Sequence, residues 1–166
     1  QLRSEPLTVS ITTLAAGSTL QSAGLAELDD VLEQAIREQL QLSPDDPLTT
    51  EDLQAITHLD AAHWGISSLE GIRLLTALEY LNLSHNDLKD EDLPALSGLT
   101  GLTELNLSYN DITDLTPIYS LTNLENLVAA GNQIDDIAGI DALIRLHYLD
   151  LSLNRIADLS PLVDLS

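Results

Sequence analysis

Residues 105–124 read LNLSYNDITDLTPIYSLTNL, and the same pattern recurs along the chain. LNLSHND stands at 81–87, LVAAGNQ at 127–133 and LDLSLNR at 149–155, each with Asn in sixth place. Aligned on that Asn, units start at Leu59, Leu81, Leu105, Leu127 and Leu149. The period is 22 residues, with two extra in the second unit and an incomplete fifth. Counted from the first Leu, positions 1, 3, 8, 11, 14, 17 and 20 are apolar throughout. The third unit supplies Leu105, Leu107, Ile112, Leu115, Ile118, Leu121 and Leu124.

That spacing carries a physical meaning. Positions 1 and 3 alternate, so both side chains fall on one face of a short strand. Steps of three follow, which suit a tight 3₁₀-like return to the next strand. Each unit is then one turn of a solenoid, with parallel strands on one side and a Leu/Ile column inside. One turn cannot cover both of its own faces, so stacking is obligatory.

Position 6 is where the strand ends and backbone groups lose their sheet partners. An amide side chain offers donors and an acceptor together, so Asn86, Asn110, Asn132 and Asn154 are expected to form a structural ladder. The first unit has Trp64 there, next to a cap rather than another regular turn. Asp114, Asp136 and Asp158 at position 10, followed by Pro117 or Pro161 where Pro occurs, read as caps of the convex turns.

This pattern resembles the 22-residue class of leucine-rich repeats found in bacterial internalins and in a eukaryotic phosphatase regulator. The resemblance implies an α/β fold: a leucine-rich-repeat solenoid, parallel sheet on the concave side and 3₁₀ or irregular turns on the convex side. Upstream, LAELDDVLEQAIREQLQL at 25–42 places Leu28, Val31, Leu32, Ala35, Ile36 and Leu40 on one helical stripe. Pro44 and Pro47 forbid its continuation. A second helix opens at LTTEDLQAI, where Thr49 and Asp52 have capping-box spacing. Together with ISSLEGIRLLTALEYLNL, these segments are similar to the helical N-terminal cap of internalin-type repeats. The expected organisation is a cap at 25–58 and repeats at 59–166. Residues 1–24 read either as a strand of that cap or as a linker from an upstream domain. Nothing after Leu165 reads as a lid, and Met is absent, so the chain is expected to be an N-terminal piece of something longer.

Composition narrows the partner classes. With 27 acidic residues against six Lys plus Arg, the net charge is −21. Such a surface repels phosphate backbones and anionic membranes. The acidity serves solubility, a salty habitat, calcium or a basic partner; sequence leaves these open. No stretch approaches the roughly 18 unbroken apolar residues of a membrane span. There is no Cys, and none of the usual hydrolase, metalloprotease or phosphate-loop motifs occurs. No catalysis and no cofactor is expected. His63 and His85 share position 5 in adjacent units, but the sequence offers no third metal ligand.

What varies between units is the outward surface: positions 2, 4 and 5 and the residue before position 1. Three of four tyrosines are expected to gather there: Tyr80, Tyr109 and Tyr148. His63 and His85 join them, and Asp60, Glu104 and Asp150 bring charge. In the last two units the face turns small and apolar, with Val128, Ala130, Gly131 and Leu153 forming a dip flanked by Tyr109 and Tyr148. Aromatic side chains around such a dip suit protein contact, and glycan less well. The expected partner-binding residues are Tyr80, His85, Glu104, Tyr109, Val128, Tyr148, Asp150 and Leu153. The resemblance implies a secreted or cell-surface bacterial module for adhesion or partner recognition. A structural spacer, self-associating end to end through its uncapped last repeat, and an intracellular scaffold like the phosphatase regulator are the alternatives.

Overall fold

The computed structural model describes residues 28–165; the expectations for residues 1–24 lie outside them. Five three-residue strands form one parallel sheet in chain order: β1 (His58–Asp60), β2 (Tyr80–Asn82), β3 (Glu104–Asn106), β4 (Asn126–Val128) and β5 (Tyr148–Asp150). The register pairs Leu59, Leu81, Leu105, Leu127 and Leu149 from strand to strand. Return segments contain 3₁₀ helices at Ile72–Leu74, Leu93–Leu96, Thr116–Ile118, Ile140–Ala142 and Ser160–Asp164. Asp114, Asp136 and Asp158 each accept the N–H two residues on at 2.8 Å, an Asx turn leading into the 3₁₀ segment. The two extra residues of the second unit bring Asp90 against the next turn, where it accepts the Thr113 and Asp114 N–H groups.

All seven repeating aliphatic positions are buried in the first three turns. Burial then declines. Leu149, Leu151 and Ile156 are only partly covered, while Leu159 is 60% and Val163 81% exposed. The fifth turn is thus the least covered of the described turns.

The cap is tied in by specific bonds. Helix α1 (Asp30–Gln39) begins where Asp29 accepts the Val31 and Leu32 N–H groups. It stops short of the expected residue 42 because Gln41 turns left-handed, at φ +56°. Its apolar stripe, Leu28, Leu32, Ala35 and Ile36, is buried. Gly71, at φ +80°, lies so close that a Cβ there would sit 2.9 Å from the Leu28 Cα. Helix α2 (Thr50–Ala55) carries the full capping box between Thr49 and Asp52. One device has no counterpart in the sequence reading. The Gln39 amide covers the open edge of β1, accepting the Asp60 N–H at 3.0 Å and donating to the His58 carbonyl. It stands in for a missing strand and blunts an edge that would otherwise template aggregation.

Where the strands end, the buried asparagines tie turn to turn. The Asn110 amide donates to the Leu83 and Leu107 carbonyls, both at 3.0 Å, and its oxygen accepts the Leu88 N–H at 3.0 Å. Asn86 donates to Ala61 and Leu83 and accepts from Trp64 and Ile66. Asn132 donates to Leu107 and Ala129 and accepts from Ile112. Asn154 donates to Ala129 and Leu151 and accepts from Ile134. The carbonyls of Leu83, Leu107 and Ala129 are thus each shared by two asparagines.

Candidate functional site

The parallel register lines up outward side chains into columns across the strands. The first runs His58, Tyr80, Glu104, Asn126, Tyr148; the second runs Asp60, Asn82, Asn106, Val128, Asp150. In the second column, Asp60, Asn82, Asn106 and Asp150 each accept the N–H two residues ahead. These groups shape the strand exit as well as facing outward. The Ser152 N–H, and then its hydroxyl, hold the Asp150 carboxyl below the usual carboxylate range. Val128 cannot make that bond, so it interrupts a polar column with an apolar step. In the first column Tyr80 stacks on His58, centroids 5.9 Å apart. Its hydroxyl pKa is raised, first by burial and then by the charges of Asp60 and Glu104.

In the second, third and fourth turns position 4 does not belong to this surface. Ser84, Ser108 and Ala130 are buried, because the backbone is already curling toward the asparagines and leaves room only for small side chains. Ala130 therefore adds nothing to an outward dip.

Position 5 supplies the most distinctive geometry. His63, His85, Tyr109 and Leu153 have φ of +62°, +56°, +55° and +56°, and Gly131 has +68°. Their N–H groups reach the following turn: His63 to Ser84, His85 to Ser108, Tyr109 to Ala130 and Gly131 to Ser152. A left-handed residue at this point is what each strand exit demands. For a residue with a Cβ that conformation costs about 1–2 kcal/mol. Gly131 takes it freely, and bulky side chains fill it in the other four turns.

Three of those side chains stack. The His63 and His85 rings lie 4.1 Å apart at 12°, and His85 and Tyr109 lie 4.4 Å apart at 14°. Tyr109 then leans over Gly131, where an added Cβ would meet its ring carbons at 2.6 and 2.8 Å. Tyr109 does not flank a dip at Gly131; it covers it. A metal lies in the plane of each imidazole that binds it, and two nearly parallel planes do not share such a point. Among the described residues no group of three or more His, Asp or Glu is arranged to hold a metal ion.

The structure does not gather the three tyrosines. Tyr80 and Tyr148 share the first column but stand three strands apart, on the order of 14 Å at ordinary strand spacing. Tyr109 lies at the other end of the strands, in the left-handed row. What comes together is His63, His85 and Tyr109, with Leu153 70% exposed beyond Gly131. Glu104 is exposed between Tyr80 and Asn126, and Val128 and Asp150 are half-buried. The fourth tyrosine, Tyr119, is on the convex side. Burial, and then Asp114, Asp136 and Asp141, push its pKa up to about 12.

Two features escaped the sequence reading. The left-handed row had one visible sign, the glycine at position 5 of the fourth unit. Trp64 had a sign too, as the odd residue in the asparagine column. It lines a groove of about 540 Å³ against α1.

The family model described as Leucine Rich repeats (2 copies) matches residues 76–120, 100–142 and 122–164, which together span more than half of the chain. The crystal structure of an internalin (inlF) from Listeria monocytogenes is similar, at 32% identity and TM-score 0.65. That match covers 82% of this chain and 47% of the internalin, so the chain spans about half of that structure's length. A leucine-rich repeat protein of Leptospira interrogans is similar at 29% identity and TM-score 0.57, covering 66% of this chain and 28% of that one. A search of curated proteins returns no match. Among the described residues no helix is long and apolar enough to cross a membrane. The repeats, the helical cap and these likenesses agree: the chain belongs to the leucine-rich-repeat family, as a bacterial internalin-like domain.

Proposed function

We propose that this domain is a non-catalytic recognition module of a secreted or cell-surface bacterial protein, binding a protein partner through its concave face. The contact surface comprises the stacked row of His85 and Tyr109, Leu153 beyond it, Val128 and Asp150 in the middle column, and Tyr80, Glu104 and Tyr148 in the first. One observation carries the reading. Four of five left-handed positions hold large side chains where glycine or asparagine would cost less, and three of these are outward-facing rings with Leu153 beside them. Strain retained at an exposed position favours a role outside folding. A protein partner suits the row better than a glycan, because the ring faces are spent on one another and only edges remain for contact. The adhesive role rests on kinship and geometry together.

The test compares the chain with its Tyr109→Ala/Leu153→Ala variant, each immobilised and exposed to extracellular proteins and intact cells. Retention lost in the variant, at unchanged melting temperature, supports the reading. Equal retention rejects it.

A further inference from the structure

The groove beside Trp64 has a chemistry of its own. One wall is α1, contributing Asp30, Glu33, Gln34, Arg37 and Glu38; Leu42, Pro44 and Trp64 supply the rest. Arg37 does not leave the groove positive. Its Nε pairs with Glu33 at 2.7 Å, and its guanidinium also donates to the Ser43 and Asp46 carbonyls. Its charge is directed into the cap. Asp30 and Glu38 are exposed and have no hydrogen-bonding side-chain partner among the described contacts. Trp64 is 36% exposed, although its position in the next three turns belongs to a buried asparagine. The result is an apolar and aromatic wall beside carboxylates that no described residue pairs.

We propose that this groove receives an arginine side chain of a protein partner. The guanidinium reaches Glu38, while Asp30, about 12 Å away along the helix, adds to the negative potential; the arginine's stem and face lie along Trp64, Leu42 and Pro44. Guanidinium groups combine carboxylate pairing with stacking on aromatic faces, which a lysine ammonium does less well. One further observation fits this occupant. The net charge of −21 steers basic partners toward the chain. The inference does not depend on the row being a contact surface, since the groove has its own ligand and its own probe.

Trp64 is the only tryptophan in the chain, so its fluorescence reports on this groove alone. The experiment titrates the full chain with acetyl-Gly-Arg-Gly-amide at low salt, following Trp64 emission. The controls are the same peptide with citrulline, which keeps the shape and removes the charge, and with leucine. A saturable change for the arginine peptide, at least about tenfold weaker for citrulline, is the expected result. Asp30→Asn/Glu38→Gln should weaken arginine binding about tenfold, and Glu38→Gln alone several-fold, with unchanged far-ultraviolet circular dichroism and melting. Three results overturn the proposal: no saturable change, equal response to citrulline, or indifference to both variants. Emission already at the wavelength of a fully buried indole, with no peptide response, also overturns it, because the chain itself or a second copy then fills the groove.

Discussion

Replacing Asn110 by Ala tests the tie between turns, and the shared carbonyls make the outcome more specific than a simple loss. Asn110 is 7% exposed, so water cannot readily take its place. The substitution orphans the Leu88 N–H completely, at about 1–3 kcal/mol for a buried unpaired donor. The Leu83 carbonyl keeps its bond from Asn86, and the Leu107 carbonyl keeps its bond from Asn132. Each loses one of two bonds, roughly 0.5–1.5 kcal/mol apiece. The sum is about 2–6 kcal/mol. Asn154→Ala should cost clearly less, because that side chain sits at the partly exposed last turn. Sharing also predicts how the costs combine. Asn86→Ala with Asn110→Ala strips the Leu83 carbonyl of both donors, so the double variant should lose about 1 kcal/mol more than the sum of the single losses. Asn86 and Asn132 share no carbonyl, so their costs should add. Urea unfolding followed by circular dichroism measures all of these, with the slope checked for loss of cooperativity. An Asn110→Ala cost below about 1 kcal/mol, or strict additivity for Asn86 with Asn110, would refute the shared-carbonyl account.

Other expectations follow from particular contacts. Gly131→Ala should destabilise by about 1–2 kcal/mol through its left-handed backbone, and by more through the Tyr109 ring; in a Tyr109→Ala background only the backbone part should remain. Gln39→Ala should reduce stability by about 1–3 kcal/mol by uncovering the β1 edge; thermal melting and light scattering on heating check it. Tyr119 holds its proton in the folded chain to about pH 12, whereas the unfolded chain releases it near its ordinary value of 10.0. The unfolded state then binds fewer protons, so stability from this group is present below about pH 10 and falls as pH rises toward 12. Tyr119→Phe should flatten that alkaline decline in a series of melts.

The fold was legible because each turn repeats the same physical problem. A column of aliphatic side chains spaced 2 and then 3 apart admits few backbones other than strand followed by a tight return. The helical cap was legible for a similar reason, since Thr49 and Asp52 bond one another at the spacing that suggested it. The surface was harder to read. Sequence alternation placed position 4 outside, but the chain departs from the strand before that residue, and Ser84, Ser108 and Ala130 turn inward. The run of small residues in that column was the available sign. Ring stacking depends on left-handed φ values that no composition rule assigns to His63, His85, Tyr109 or Leu153. Gln39 lies 21 residues from Asp60, and nothing local links them.

The most direct measurement concerns where a partner touches. Leu153 and Ile144 are almost equally exposed, at 70% and 72%, but Leu153 ends the left-handed row and Ile144 lies on a return segment. A photoreactive leucine analogue placed at one or the other, with irradiation in the presence of extracellular proteins, separates location from mere accessibility. Recognition through the concave rim predicts a discrete cross-linked partner from position 153 and little from position 144. Equal yields from both positions, or a stronger product from 144, would contradict it.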